Sequence, residues 1–318
     1  MADRREFTFL SGDGVHQVHG VAWYPQGEPR GVVQLVHGIS EYILRYDPFA
    51  RFLTDHGFLV VGHDHLGHGK TARDPSEYGF LATKGGWDLL AGDVRTLRVE
   101  TGERFPGVPY FLLGHSMGSF VARTYLIRWP GTLDGCILSG TGQESASLIA
   151  LGKALCTLIA RVRGPQAVSG LVTALSLGAY NRQFKPNRTD ADWISRDEAV
   201  VDAYMADPLC TFFPTVGMTR DMMEGLQFIA KPDQLARMDP DTPIFFFSGD
   251  QDPVGGNGKG VEKVAAWFRQ AGVREVTVRL YPEGRHEMLN ERNRQEVYAD
   301  VLAWLEYHLP PYRFIEKQ

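Results

Sequence analysis

The chain has 318 residues, of which 43% are hydrophobic, with 33 Lys+Arg against 38 Asp+Glu and a formal net charge of -5. That apolar content excludes a disordered chain, and the mild acidity excludes the concentrated basic face of a nucleic-acid binder. At about 100–200 residues per domain, the length fits one large domain or a core carrying an insertion.

Residues 6–10 and 18–24 read as two strands joined through Ser11-Gly12-Asp13-Gly14, a hairpin signal. Residues 31–37 form a β-branched run typical of a buried strand. Residues 46–57 have helical spacing through Phe49 and Leu53 and stop at Gly57, a C-cap residue. A second buried strand is expected at 58–63, then a helix at 87–101 with Leu89, Leu90, Val94 and Leu97 on one side. A strand (109–113), a helix (117–129) and a strand (133–140) follow. From 141 to 238 the periodicity is helical with no clear strand. The run Ile244-Phe245-Phe246-Phe247 marks a strand at 243–248, followed by a helix (258–272), a strand (275–281) and a helix (290–308). Alternating strands and helices imply an α/β fold, a mostly parallel central sheet flanked by helices. The helical block implies an inserted cap, dividing the chain into core (1–142), cap (143–238) and core (239–318).

No apolar run follows Met1-Ala2-Asp3-Arg4-Arg5-Glu6, so no secretory signal is expected. The most apolar stretches, 146–160 and 167–180, both fall short of the roughly 20 residues a spanning helix needs. Cys136, Cys156 and Cys210 stand in no paired spacing. This argues against structural disulfides and a cysteine-based zinc site, and makes a reducing cytoplasm the expected compartment.

The chemistry centres on Gly114-His115-Ser116-Met117-Gly118, between an expected strand and an expected helix. In parallel α/β sheets, sites gather at the carboxyl ends of strands. A serine on such a turn takes strained dihedrals, so its neighbours must lack side chains. A neutral hydroxyl needs a general base to become a nucleophile. On this kind of elbow the acid and then the histidine follow the serine in the chain. His286 follows the last strand and is the only histidine there, whereas His16, His19, His56 and His308 fall on the hairpin and on helices. Two carboxylates follow the preceding strand, Asp250 and Asp252. Asp252 is favoured, because a turn closed by Pro253 can aim it back, and Asp250 then serves as a turn residue bonding backbone N–H groups. Glu144 is a remote third candidate. Oxyanion donors are expected from the backbone N–H of Met117 and of Ile39, with Gly38 allowing close approach. His37 is expected to brace that loop through its ring. The segment Asp64-His65-Leu66-Gly67-His68-Gly69-Lys70 lacks a fourth ligand and a helical frame for a metal. Residues 255–260 lack the Lys-[Ser/Thr] of a phosphate loop.

These residues resemble the monoacylglycerol lipase and lysophospholipase branch of the α/β-hydrolases, from about residue 7 to 308. His37-Gly38-Ile39-Ser40-Glu41-Tyr42 with Arg45-Tyr46 looks like its oxyanion loop, although Tyr42 stands where the family usually has His. Asp64-His65-Leu66-Gly67-His68-Gly69-Lys70, Gly-His-Ser-Met-Gly and Gly249-Asp250-Gln251-Asp252 are similar to its other core elements. Trp193-Ile194-Ser195-Arg196-Asp197 and Tyr204-Met205-Ala206-Asp207-Pro208-Leu209-Cys210 are similar to its cap. The resemblance implies an α/β-hydrolase fold and a serine hydrolase of glycerol-lipid esters, with Ser116, His286 and Asp252 as triad and Ile39 and Met117 as oxyanion hole. It implies no cofactor and no metal. The alternatives are a short-chain carboxylesterase, thioesterase or acyltransferase with the same triad, or a non-catalytic binding protein. In the cap, Leu148, Ile149, Leu151, Leu155 and Leu158 along one segment, and Phe212, Phe213, Met218, Met222 and Met223 along another, suit acyl chains. Most are expected to pack the cap onto the core, and a minority to line a tunnel or make a transient membrane-surface contact.

Overall fold

The computed structural model describes residues 3–310. The strands are β1 (Asp3–Leu10), β2 (Gln17–Tyr24), β3 (Gly31–Val36), β4 (Phe58–His63), β5 (Tyr110–His115), β6 (Gly135–Ser139), β7 (Ile244–Gly249) and β8 (Val276–Tyr281). They form one sheet in the order β1-β2-β4-β3-β5-β6-β7-β8. The β1–β2 and β2–β4 pairs are antiparallel, and every pair from β4 to β8 is parallel. β1 starts three residues before the expected strand. It is an edge strand whose side chains are mostly exposed, so its first residues carry no hydrophobic signal.

Parallel neighbours need crossovers, supplied first by α1 (Asp47–Asp55), α2 (Gly86–Arg104) and α3 (Met117–Arg128). Between β6 and β7 lie α4 (Ala146–Arg163), α5 (Gly170–Leu175), α6 (Leu177–Tyr180), α7 (Glu198–Ala206), α8 (Val216–Phe228) and α9 (Pro232–Leu235). α10 (Lys259–Gln270) and α11 (Arg294–Tyr307) flank β8. The strand period of two sorts side chains between two apolar layers. Phe245 and Phe247 join Phe49, Leu53, Val301 and Trp304 of α1 and α11. Ile244 and Phe246 face the opposite layer, with Leu90, Val121 and Phe268 of α2, α3 and α10. A strand buried on both faces reads as an unbroken apolar run, which is why 244–247 carries no alternation.

In the helical block, the Ser145 hydroxyl caps α4 by accepting the Leu148 N–H at 3.3 Å, and Thr215 caps α8 by accepting the Met218 N–H at 3.2 Å. α8 packs along α4 and also against α2 and α3. Met218 and Leu226 thereby join the same apolar layer as α3, so the block shares its core with the sheet. The expectation that the α4 leucines mostly pack inward is corrected. Ile149 is buried and Leu155 half-buried, but Leu148, Leu151 and Leu158 are 53%, 67% and 60% exposed. A single helix facing α8 along one stripe cannot bury residues on its far side. Among the described residues no helix is long and apolar enough to cross a membrane. All three cysteines are buried and free.

Candidate active site

β5 ends at His115 and α3 begins at Met117, so Ser116 alone makes the turn. Its φ and ψ are 52° and -122°, a left-handed conformation costing about 1–3 kcal/mol in a non-glycine residue. The surroundings hold it there. Ser116 N–H donates to Ser139 O at 2.9 Å, and the Ser119 hydroxyl donates to Ser116 O at 2.6 Å. The flanking glycines are required by space. A Cβ on Gly118 would run into the Val36 carbonyl oxygen, and one on Gly114 would lie 2.9 Å from Ser119 Cα. Gly118→Ala should therefore lower stability by about 1–3 kcal/mol, visible as a lower Tm with native circular dichroism before the melt. An unchanged Tm would mean that α3 can shift away from β3 freely.

His286 follows β8 and Asp252 follows β7, and the structure brings these two into contact. His286 Nδ1 lies 3.0 and 2.9 Å from Asp252 Oδ1 and Oδ2. Oδ2 also accepts from the Ser248 hydroxyl at 2.9 Å, and Oδ1 from the Val254 N–H at 2.9 Å. Burial opposes ionisation of Asp252, but His286 and these donors outweigh it and hold its pKa below the usual carboxylate range. Burial likewise opposes a charged imidazole. The Asp252 carboxylate, with Glu287 and Glu41 behind it, outweighs that and raises the His286 pKa above its ordinary value. Asp250 does not reach the ring. Its carboxylate makes no side-chain hydrogen bond, and its buried Oδ1 has no partner among the described residues, so its expected role as a bonded turn residue is corrected. Glu144 lines the rim of the cavity described below and makes no bond to His286.

The His286 ring packs 4.6 Å from that of His115, the neighbour of Ser116, and 4.9 Å from that of Trp193. A side chain at Gly140 would lie 2.9 Å from His286 Cε1, and one at Gly38 would lie 3.0 Å from Ser116 Cβ. Serine, imidazole and the early loop thus converge. Ser116 makes no hydrogen bond to His286 in this geometry, a bond that in unliganded hydrolases often tightens only around substrate. The Met117 N–H is at the first turn of α3, where no intrahelical acceptor exists. Neither it nor the Ile39 N–H has a partner among the described residues. The Gly38 N–H, by contrast, is taken by Glu41 Oε1.

His37 braces the loop as expected. Its Nδ1–H donates to Gly38 O at 2.7 Å, which leaves Nε2 to accept the His65 N–H at 3.0 Å. Asp64 accepts from Ile43 N–H and Lys70 N–H at 2.8 and 2.9 Å, tying the glycine-rich segment to the loop.

Several contacts were invisible in the sequence. The cap segment 193–196 clamps the histidine loop: His286 N–H meets Trp193 O at 3.4 Å, Glu287 N–H meets Ile194 O at 2.7 Å, and Arg196 Nε donates to Glu291 at 3.1 Å. Tyr42 donates to Asp207 at 2.7 Å and Ser40 to Phe212 O at 2.9 Å, fixing the early loop to the cap. Arg45 reaches across to Glu287 through two bonds. All of these join residues distant in the chain, and only the motif resemblance around 193–197 and 204–210 hinted at them.

Ser116 lines a cavity of about 720 Å³, open solvent at its mouth included, with Phe120, Met222, Met223, Leu226 and Val254 on its walls. Trp193 also lines a second, solvent-open recess, about 1200 Å³ with the open solvent at its mouth included, that carries Asn181, Arg182, Lys185 and Asn187.

A mostly parallel sheet with a strained serine after β5, a carboxylate after β7 and a histidine after β8 defines an α/β-hydrolase. Within that class the chain belongs to the family described as serine aminopeptidase, S33, whose model matches residues 27–293. It is 31% identical to the monoacylglycerol lipase of Mycolicibacterium smegmatis, over 96% of this chain and 98% of that protein. It is 29% identical to human monoglyceride lipase, over 89% of this chain and 84% of the relative. Among solved structures, a highly thermostable carboxyl esterase from Bacillus coagulans, in complex with glycerol, superposes with a TM-score of 0.90 at 32% identity, over 96% and 99% of the two chains. These relatives cleave esters, in contrast to the peptidase in the family's description. The chain is a carboxylic ester hydrolase of the monoacylglycerol lipase-like group, as the motifs led us to expect.

Proposed function

We propose that the protein hydrolyses monoacylglycerol or lysophospholipid esters through an acyl-enzyme, with Ser116, His286 and Asp252 as its triad. The observation that carries this reading is the placement of Ser116 at an apolar cavity beside the Asp252–His286 pair. The Ser116 oxygen attacks the ester carbonyl while His286 Nε2 takes its proton. The Ile39 and Met117 N–H groups bind the oxyanion. His286 then protonates the departing alcohol, and water releases the fatty acid by the same steps. Asp252 holds the Nδ1–H tautomer and stabilises the imidazolium. The methionine-lined cavity suits an acyl chain, since methionine adapts to irregular apolar ligands. The second recess suits the polar head group, and the glycerol bound by the Bacillus coagulans esterase is consistent with an alcohol of that kind.

Ser116→Ala should abolish both labelling by a fluorophosphonate probe and hydrolysis of p-nitrophenyl and monoacylglycerol esters. Retained turnover would overturn the assignment. Among wild-type rates, kcat/KM on monoacylglycerol and lysophospholipid should exceed that on short-chain p-nitrophenyl esters. The opposite order would favour a short-chain carboxylesterase.

A further inference from the structure

We infer that Arg45 and Glu287, together with Glu41, are positioning residues that hold the oxyanion loop and the histidine loop in register; this rests on the triad reading above. The two loops leave β3 and β8, which are not neighbours in the sheet, so no ladder aligns them. A buried chain of charged bonds does. Arg45 Nη1 and Nη2 donate to Glu287 Oε1 and Oε2 at 2.7 and 2.8 Å, a two-pronged pairing that fixes orientation as well as distance. Arg45 Nη1 also donates to Glu41 Oε2 at 3.1 Å, and Glu41 Oε1 accepts from Gly38 N–H and from the Tyr46 hydroxyl, the latter at 2.9 Å. The path therefore runs from Gly38, beside Ile39, to Glu287, beside His286. Apolar packing could join two loops at lower desolvation cost, but it would not set both to within the roughly 0.5 Å that a reacting geometry requires.

The bridge carries two carboxylates on one guanidinium. The groups facing Glu287 are Arg45, Glu41 and Tyr46 from the early loop, Tyr204 and Cys210 from the cap, His115 from β5, and Asn290 on its own loop. Burial opposes the Glu287 charge, and Arg45 restores it, holding that carboxylate well below its usual range. Those facing His286 are Asp252, Glu287, Glu41 and His115. Glu287 thus also adds negative potential at the imidazole.

Two variants test this. Glu287→Gln keeps the shape and removes the charge. It should lower kcat by about 10- to 100-fold with KM within about threefold, and move the acid limb of the kcat/KM pH profile to lower pH, because losing an anion disfavours the imidazolium. The combined variant Arg45→Met/Glu41→Gln/Glu287→Leu removes the bridge without leaving a buried charge, since Glu41 is paired to the same guanidinium. It should fold, still label at Ser116 with a fluorophosphonate, and be as slow or slower. Wild-type kcat in either folded variant, or a slower Glu287→Gln with an unmoved acid limb, would overturn the inference. If neither variant folds, the bridge is a stability element and the inference fails. Failure of wild-type labelling at Ser116 would instead remove the triad reading first.

Discussion

Asp252→Asn should lower kcat by roughly 10^4-fold, whereas Asp250→Asn should leave it within about twofold. The two carboxylates are two residues apart on one turn, and their surroundings separate them. Asp252 holds His286 Nδ1 through both oxygens and is itself held by Ser248 and Val254, while the buried Oδ1 of Asp250 has no partner among the described residues. An asparagine at 252 has nearly the same shape but can turn an amide N–H toward Nδ1. The ring then settles with its proton on Nε2, the nitrogen that the proposed triad needs bare as general base. Removal of the carboxylate also withdraws the largest favourable influence on the imidazolium. The acid limb of kcat/KM, which in the wild type should lie above the ordinary histidine pKa of about 6.5, should move to lower pH. With His286 as the proposed general base, activity depends on its neutral form, so it falls as pH drops through that limb. Steady-state kinetics of both variants from pH 5.5 to 9, with Tm as a folding control, decides the matter. A larger loss at Asp250 would transfer the acid's role to it.

How much of this could be read from the sequence follows from the range of the interactions involved. The elbow is local: glycine at 114 and 118 around Ser116 announces a turn that tolerates no neighbouring side chains, and the structure shows what those side chains would strike. The sheet is nearly local, since β-branched and aromatic runs such as 244–247 report strands buried on both faces. Asp252 could be preferred over Asp250 because Pro253 constrains the turn. The Arg45–Glu287 bridge could not be seen, because nothing near either residue shows that β3 and β8 deliver them to one point. The same holds for the clamp of 193–196 on the His286 loop. The cap leucines misled for a related reason. Apolar content along α4 says that some face is buried, but which face depends on α8, more than fifty residues onward.

Acid should unfold the protein steeply, beginning below about pH 6.5. His37, His63, His65, His68 and His115 are all buried, and burial lowers the pKa of each, to about 3 for His37 and His115, about 4 for His63 and His68, and well below the ordinary value for His65. In the unfolded chain each titrates near 6.5. Above that pH both states are neutral and the shift has no effect on stability. As pH falls from 6.5 toward 4, the unfolded chain takes up protons that the folded chain refuses, so stability is lost. Asp93, raised by burial to about 6, and Glu41, also raised by burial, work the other way: the folded state protonates them first and gains stability over part of the same window. His286 and His19 are raised as well, but their contribution is complete once pH is below the unfolded value. Five protons against two leave a net uptake of about three on unfolding, worth about 4 kcal/mol per pH unit. Against a total stability of about 5–15 kcal/mol, two units of pH remove about 8 kcal/mol, at least half of what holds the chain folded. Melts at pH 7.5, 6.5 and 5.5 should show Tm level or slightly rising over the first interval, where the raised groups take up their protons in the folded state, and falling by about 6 °C over the second. His63 allows a specific check, since both its ring nitrogens are buried without partners among the described residues and its ring meets Phe9 edge-on at 5.5 Å. His63→Leu should reduce the acid slope by about one proton while leaving Tm at pH 7.5 unchanged or higher. A Tm that stays level to pH 4.5, or a slope unaltered by His63→Leu, would mean that these imidazoles accept protons without unfolding.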